Sequence, residues 1–297
     1  MGGWVSIHLR TGEIDPEVAG HAERDADRAL RRIGRWADRL TRHSPDSELS
    51  ALNADRSPAS AVRPTLAAAL DWGRAAESLS SGLVDIALLD ERLAAEGIPP
   101  ASAPPASAPW RAWSTSRGRR LTTVHRTDCV RFDLDGVAKG WIADRALAML
   151  GDYEDRVVDA DGDIAIAVGA GSGWSIGVAD PRNPGWDVAV LRLEASSAGD
   201  RFGVATSGTS VHRWVVDGET RHHLIDPRTG RSAVSDVVQA TVVAASARAA
   251  ETLAKTAVIL GSQRGMAFLE GADARGVVLL TDRDELLLSP RTLRWLA

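Results

Sequence analysis

The chain has 297 residues, of which 44% are hydrophobic and 25% are charged. That balance is typical of a globular protein and excludes a disordered or collagen-like chain. The net charge of −5 provides no basic surplus for non-specific nucleic-acid binding, and the single cysteine, Cys129, excludes an internal disulfide and a cysteine-based zinc site.

The N-terminal segment lacks the apolar core that a secretory signal peptide needs. Arg10, Glu13, Asp15 and Glu17 arrive too early for such a core, and no apolar run in the chain is long enough to suggest a membrane span. The sequence therefore predicts a cytoplasmic protein that is not integral to a membrane.

The first third of the chain predicts one strand and two helices. A strand is expected over 5–10, and apolar residues at helical spacing predict a helix over 16–40. A second helix is expected over 64–80, ended by Gly82. Residues 97–109 are rich in proline, alanine and serine, which predicts an exposed loop.

The remaining two thirds predict strands in blocks with helices between them. Helices are expected over 140–150 and 247–260. Strands are expected over 121–125, 129–134, 157–168, 174–178, 189–193, 204–206, 212–216 and 237–243, with a last strand over 276–280. This order favours an α+β fold of mixed sheets with packed helices over a regular βαβ alternation. We expect a single domain over 1–297 with two closely associated halves.

The polar segment 43–53 (HSPDSELSALN) places hydroxyls and carboxylates ahead of an apolar run. This pattern is typical of a helix N-terminus, with Ser44 or Asp46 as the N-cap and Glu48 in the first turn.

Lysine is rare in this chain, since Lys139 and Lys255 are the only two among 35 basic residues. Unlike arginine, lysine is a compact point charge with a tunable pKa. Lys139 lies in 133–144 (DLDGVAKGWIAD), where a strand, a glycine turn and a helix follow one another. Backbone N–H groups at such a junction suit a phosphate, although a tight turn with an exposed lysine explains the segment equally well.

Three carboxylates alternate around a glycine in 159–163 (DADGD) and resemble the start of a calcium loop. An EF-hand loop needs a glutamate at its twelfth position, and that position holds Ala170. The segment is therefore predicted to be a polar turn between two strands.

The segment 222–230 (HHLIDPRTG) combines two histidines with strong turn residues. A turn that brings His223, Asp226 and Thr229 together would make a ligand-facing loop.

In combination these segments resemble the ApbE family of flavin transferases (FAD:protein FMN transferases). The matching segments, in chain order, are PDSELSALN (45–53), DLDGVAKGWIADRA (133–146), VVDADGDIAIAVG (157–169), VATSG (204–208), HLIDPRTG (223–230) and AETLAKTAVILG (250–261). The likeness runs through nearly the whole chain.

The resemblance implies that FAD binds with a divalent metal, usually magnesium, at its pyrophosphate. A threonine or serine hydroxyl of an acceptor protein then attacks the FMN-side phosphorus, AMP leaves, and FMN stays attached through a phosphoester. The implied partner is therefore an acceptor protein with a Thr/Ser flavinylation motif, and no nucleic acid is expected.

The resemblance also implies a set of site residues. Contacts to FAD are expected from His43, Leu83, Val84, Asp85, Asp133, Lys139, Thr206, His223 and Ile225. Metal ligands are expected at the Gly136 carbonyl and Glu251, and catalytic roles at His223 and Lys255. By chemistry, Asp135 and Asp161 are further candidates for the general base.

The C-terminal helix departs from the family pattern, which has Asp and Thr four residues apart as metal ligands. Here Glu251 and Lys255 hold those positions, and Thr256 faces about 100° away. A charged ammonium has no lone pair for a metal. Lys255 either replaces part of the metal's charge or forms an ordinary helix pair with Glu251. Asp135 and Asp161 also stand where the family prefers glycine, and with Glu251 they could rebuild a metal site.

Three functions follow from these features. The favoured one is an FAD:protein FMN transferase with an altered metal requirement. An FAD pyrophosphatase would use water in place of the acceptor hydroxyl and give FMN and AMP. A flavin-binding protein without turnover would bind FAD and release no AMP.

Overall fold

The computed structural model describes residues 3–12, 15–99, 112–127, 130–183, 185–197, 199–272 and 274–297. The helices in these ranges are α1 (Pro16–Leu40), α2 (Glu48–Ala54), α3 (Pro64–Leu79), α4 (Leu89–Ala95), α5 (Ala138–Leu147), α6 (Ala247–Leu260) and α7 (Ser262–Gly271), with a 3-10 turn over Leu293–Trp295. The strands are β1 (Val5–Arg10), β2 (Ala59–Val62), β3 (Trp113–Arg117), β4 (Thr122–Arg126), β5 (Asp155–Ala160), β6 (Asp163–Val168), β7 (Gly173–Ala179), β8 (Asp187–Glu194), β9 (Asp200–Gly208), β10 (Arg213–Val216), β11 (Glu219–His222), β12 (Ile225–Asp226), β13 (Arg231–Ser232), β14 (Val237–Ala244), β15 (Gly276–Thr281) and β16 (Leu286–Leu288).

The chain divides into two compact units, each built from separate stretches of sequence. Unit 1 comprises 35–138 and 211–233, and unit 2 comprises 2–34, 139–210 and 234–297. The expected single domain over 1–297 stays a prediction.

Unit 2 is built on a seven-stranded sheet in the order β1-β5-β6-β9-β14-β15-β16. Every neighbouring pair in this sheet is antiparallel, which agrees with the expected α+β class. The hairpin β7–β8 contributes Val178, Leu191 and Leu193 to the apolar core of the sheet. Burial of such aliphatic side chains supplies most of the stabilisation of the unit.

Helix α6 packs on β6, β9 and β14. Its backbone passes very close to Gly203 of β9, where any Cβ would overlap Ser246 and Ala247.

Helices α5 and α6 cap one another. Asp144 of α5 accepts the N–H groups of Ala247 and Arg248 at 3.0 and 3.2 Å. In return, Oε2 of Glu251 accepts the N–H of Gly140 at 3.0 Å. N–H groups in the first turn of a helix have no partner within the helix, so each helix satisfies donors of the other.

Unit 1 combines α2, α3 and α4 with a three-stranded sheet in the order β2-β4-β3 and the hairpins β10–β11 and β12–β13. Its largest fully buried side chains include Leu49, Leu66, Leu70, Phe132 and Leu134.

The prediction of a strand over 129–134 is wrong for 130–134, the part of that range that the structure describes. Val130, Phe132 and Leu134 are buried in alternation, which is the pattern of a strand, but no strand forms there. The backbone of Phe132 bonds instead to the side chain of Asn53, with its N–H donated at 2.7 Å and its carbonyl accepting at 2.8 Å. Cys129 lies outside the described residues.

Other expectations shift at their boundaries. The N-cap of α2 is Ser47, whose Oγ accepts the Ser50 N–H at 2.9 Å, rather than Ser44 or Asp46. Beyond α3, Ser81 already has a left-handed backbone with φ of 54°, one residue before Gly82. A short strand, β16, follows the strand expected to be last.

Several elements match their predictions closely. β1, α1 and α6 begin and end at the expected residues, and 161–162 form the expected turn between β5 and β6. Helix α5 starts two residues earlier and ends three residues earlier than expected. Most of the expected loop over 97–109 lies outside the described residues. Within the described part of the chain, none of the helices has both the length and the apolar character needed to cross a bilayer.

Candidate functional site

Unit 1 contains a cluster of charged side chains around Arg42, here called the Arg42 cluster (Arg42, His43, Arg92, Glu96, Asp133 and Asp135). The Arg42 guanidinium lies 2.6 Å from Glu96, 3.2 Å from Asp135 and 3.5 Å from Asp133. Arg92 also contacts Glu96, at 2.6 Å. Arg42 is 9% exposed, so these pairs are shielded from solvent and interact more strongly than surface pairs.

The two aspartates of this cluster have opposite pKa shifts. Burial raises the pKa of Asp133 to about 6, with the Asp135 charge acting in the same direction against Arg42. Burial also raises the pKa of Asp135, but hydrogen bonding to His43 and the charge of Arg42 outweigh it, and its pKa falls to about 2. One carboxylate of the pair therefore holds a proton more readily than the other.

His43 is anchored at one ring nitrogen. Its Nε2 lies 3.1 Å from Oδ2 of Asp135, and its side chain is 61% exposed. An exposed imidazole fixed by a carboxylate keeps one face open for an aromatic ligand. The expected contact of His43 with FAD stays a prediction.

His222, the last residue of β11, bridges two later parts of the chain through its ring nitrogens. Its Nε2–H donates to the carbonyl of Ala233 at 2.9 Å, and its Nδ1 accepts the N–H of Leu224 at 3.3 Å. Both bonds together require the neutral imidazole. Burial lowers the pKa of His222. His223, the histidine expected to act in catalysis, packs edge-on against His212 with ring centroids 5.3 Å apart.

Asp226 and Thr229 form the turn between β12 and β13. The Asp226 carboxylate takes a bidentate bond from Arg228, with contacts of 2.9 and 2.7 Å, and the Asp226 carbonyl accepts the N–H groups of Thr229 and Gly230. Because these groups hold the turn, the structure gives Asp226 a local role, and the expected ligand-facing loop of His223, Asp226 and Thr229 stays a prediction.

Several residues expected to contact FAD have buried side chains in unit 1. Leu83 and Val84 are 8% and 6% exposed, and Ile225 is 7% exposed in an apolar cluster with Leu88 and Ala95. Asp85 accepts the N–H of Ala87 at 2.8 Å. The contacts of Leu83, Val84 and Ile225 with FAD stay predictions.

Unit 2 contains both lysines of the chain in what we call the lysine–acid cluster (Lys139, Asp163, Glu251 and Lys255). Nζ of Lys139 lies 3.0 Å from Asp163 and 3.2 Å from the carbonyl of Asp161. Nζ of Lys255 lies 3.1 Å from Oε1 of Glu251. The carboxylates are almost fully buried, with side chains 2% and 1% exposed, whereas Lys139 and Lys255 are 27% and 12% exposed.

The charges in this cluster depend on one another. Burial raises the pKa of Asp163 to about 7, and the Glu251 charge adds to this effect, while Lys139 and Lys255 oppose it. Burial lowers the pKa of Lys139, but Asp163 and Glu251 outweigh it, and the pKa rises above its ordinary value. Lys139 therefore stays charged throughout the physiological range.

Thr206 and Asp161 lie elsewhere in unit 2. Thr206 is exposed on β9, and its hydroxyl lies 2.8 Å from that of Thr241 on β14. Asp161 has a left-handed backbone with φ of 59° in the β5–β6 turn, a conformation that favours glycine. The resemblance placed glycine at this position, and the structure gives the steric reason.

The residues present do not fit a magnesium centre on Glu251. Magnesium prefers carboxylate, carbonyl and water oxygens in an octahedral array. Both oxygens of Glu251 already accept hydrogen bonds, from Lys255 and from Gly140. Across the described residues, no group of three or more His, Cys, Asp or Glu side chains is arranged to hold a metal ion. Gly136 lies in the turn before α5, in unit 1.

Sequence reasoning missed Arg42, Arg92, Glu96, Asp163 and His222. Asp163 and Arg42 could have been found from the sequence, because each lies within or beside a segment that the resemblance already marked. Arg92 and Glu96 lie in and next to α4, which the sequence did not predict.

Comparisons with known proteins match most of the chain to one family. The model of the ApbE family matches residues 1–279. The FAD:protein FMN transferase of Klebsiella pneumoniae is 26% identical over 94% of this chain and 89% of that protein. The protein of the same name from Treponema pallidum is 30% identical, but its match spans only 49% of this chain and 43% of that protein.

The fold also matches a solved structure. The crystal structure of the ApbE protein from Thermotoga maritima superposes with a TM-score of 0.78 and 22% identity, covering 99% of this chain and 96% of that one. At this identity the likeness establishes the fold alone. The match of the family model to residues 1–279 shows that the chain belongs to the ApbE family.

Proposed function

We propose that this chain is an FAD:protein FMN transferase. In the proposed reaction, the hydroxyl oxygen of a threonine or serine in an acceptor protein bonds to the FMN-side phosphorus of FAD. The phosphorus–oxygen bond to AMP breaks and AMP leaves, while the hydroxyl proton passes to a base. FMN stays on the acceptor through a phosphoester. Positioning and charge neutralisation contribute most to such a transfer.

The observation that carries this proposal is the Klebsiella relative of that name, which aligns over 94% of this chain. The geometry of each unit supports it. In unit 2, Lys139 presents a permanently charged ammonium at the N-terminal turn of α5, where a helix favours phosphate. In unit 1, His43 is anchored by Asp135 while its side chain stays 61% exposed.

Among the candidate bases, Asp135 is the weakest, because a pKa of about 2 leaves it little affinity for a proton. Histidine is the side chain that most often acts as a general base, and we assign the base to His223 in the proposed mechanism. The magnesium ion that the resemblance implies enters none of the proposed steps, since Glu251 and Lys255 do not fit it.

The proposal is tested by incubating the purified chain with FAD and a threonine-containing acceptor peptide. We expect AMP and flavin-labelled peptide in equal amounts, measured by chromatography and by fluorescence after denaturation. Lys139→Ala should lower both yields, whereas Arg264→Ala, which removes an exposed cation of α7, should not. AMP without labelled peptide would identify a pyrophosphatase, and bound FAD without AMP would identify a binding protein. Either result would overturn the proposed transfer.

A further inference from the structure

The lysine–acid cluster has the composition of a charge-balanced site rather than of a metal site. Two ammonium groups alternate with two carboxylates, and each carboxylate has an ammonium partner at 3.0–3.1 Å. A divalent cation introduced beside Glu251 would share that carboxylate with the Lys255 ammonium, which lies 3.1 Å from Oε1, while Oε2 already accepts the Gly140 N–H. The two neighbouring positive charges would repel one another. Displacing Lys255 instead would break a buried ion pair, which is strongly unfavourable.

The Lys255 ammonium also retains donors for a ligand. An ammonium group has three N–H donors and no acceptor. In the part of the chain that the structure describes, Glu251 is the hydrogen-bond partner of Lys255, and 12% of the Lys255 side chain is accessible. Lys139 is 27% accessible. Both cations can therefore meet an anion from solvent while they keep their carboxylate partners.

We propose that Lys255 takes the place of the divalent cation in this chain, so that the ammonium groups of Lys139 and Lys255 bind the pyrophosphate of FAD directly, without metal. The inference rests on the proposed function for the identity of the ligand. The contacts within the lysine–acid cluster disfavour magnesium whatever the identity of the ligand. Glu251 then has a positioning role, since it holds Lys255 and joins it to the N-terminus of α5.

The first test measures metal binding without FAD. Mn²⁺ is titrated into the purified protein and the free ion is followed by electron paramagnetic resonance. We expect no Mn²⁺ binding that depends on Glu251, so the wild type and Glu251→Gln should give the same titration. A wild-type site that is lost in Glu251→Gln would overturn the inference, whatever the enzyme does with FAD.

The second test measures the dissociation constant of FAD from flavin fluorescence, in EDTA and in magnesium. For the wild type we expect the same constant in both. Lys255→Met should weaken binding by about tenfold or more, the loss of one charge-assisted contact, while Arg264→Met should leave it unchanged. The double variant Glu251→Gln/Lys255→Met removes both buried charges, so it separates a lost ligand contact from misfolding, and it should bind as weakly as Lys255→Met.

The outcomes separate the two proposals. FAD binding that requires magnesium would overturn the metal-free inference and leave the transferase intact. Metal-independent FAD binding that is weakened in both Lys255 variants would support the inference even if no acceptor were labelled. Unchanged affinity in a folded Lys255→Met variant, or no FAD binding under any condition, would overturn it.

Discussion

At the scale of single residues, the protonation state of His222 determines whether its hairpin bridge can form. The neutral ring both donates to Ala233 and accepts from Leu224. A protonated ring has no acceptor nitrogen, so charging His222 breaks the second bond and places a charge in a half-buried site.

The pKa of His222 is lowered in the folded state from its ordinary value of 6.5. The unfolded state therefore binds the proton first as the pH falls, and the stabilisation present above pH 6.5 is lost below it. We expect the free energy of unfolding in urea to fall over this range by more in the wild type than in His222→Gln. The glutamine can donate to Ala233 but does not titrate. Equal pH slopes for the two proteins would contradict this role.

Arg42 is expected to matter more for stability than a surface arginine. It is the cation that three carboxylates of its cluster share, and it is 9% exposed. Arg42→Met leaves these charges less compensated and should cost about 2–4 kcal/mol of unfolding free energy, measured in urea. Arg39→Met is the matched control, because Arg39 is 40% exposed and lies 3.5 Å from Glu48. Its loss should cost at most about 1 kcal/mol, and a similar cost for both variants would contradict the argument.

At the scale of elements, a glycine fixes how closely α5 and α6 approach. A Cβ on Gly140 would lie 2.7 Å from the backbone of Ala247. Gly140→Ala should therefore destabilise the protein by about 1–3 kcal/mol, although alanine is the better helix former.

Gly34 provides the matched control for this change. It lies in α1, and a Cβ there would meet no atom within 4 Å. Gly34→Ala should stabilise the protein by about 0.5–1 kcal/mol. Thermal and urea unfolding should thus show that the same glycine-to-alanine change lowers the free energy of unfolding at Gly140 and raises it at Gly34. A change of the same sign at both positions would show that the helices can move apart at Gly140.

The spacing of apolar residues predicted the elements that are held by regular backbone hydrogen bonds. It failed where a side chain supplies the hydrogen bonds instead. α1 and α6 have long amphipathic patterns, and both match at each end. The segment 130–134 has an equally clear alternation, but Asn53 supplies the bonds that a neighbouring strand would have made. Nothing in the local pattern indicates an amide 79 residues away.

At the scale of the whole molecule, the chain assembles each unit from distant stretches, and this limits what sequence could reveal of the site. Local motifs identified Lys139, Glu251 and Lys255 as residues of interest. Their pairing depends on contacts such as that between Gly140 and Glu251, which are 111 residues apart. The sequence could therefore suggest that Lys255 replaces part of a metal's charge, but it could not show that both oxygens of Glu251 are already bonded.

The two lysines of the lysine–acid cluster are the only side-chain amines in the sequence, so side-chain amine chemistry on this protein is confined to that cluster. Acetylation removes their charge, whereas reductive methylation keeps it. We expect acetylated protein to lose its affinity for FAD and methylated protein to retain most of it. FAD should also slow acetylation at both lysines, measured by peptide mass spectrometry, and equal labelling rates with and without FAD would contradict this. A reagent normally considered unselective would then report on the occupancy of one site.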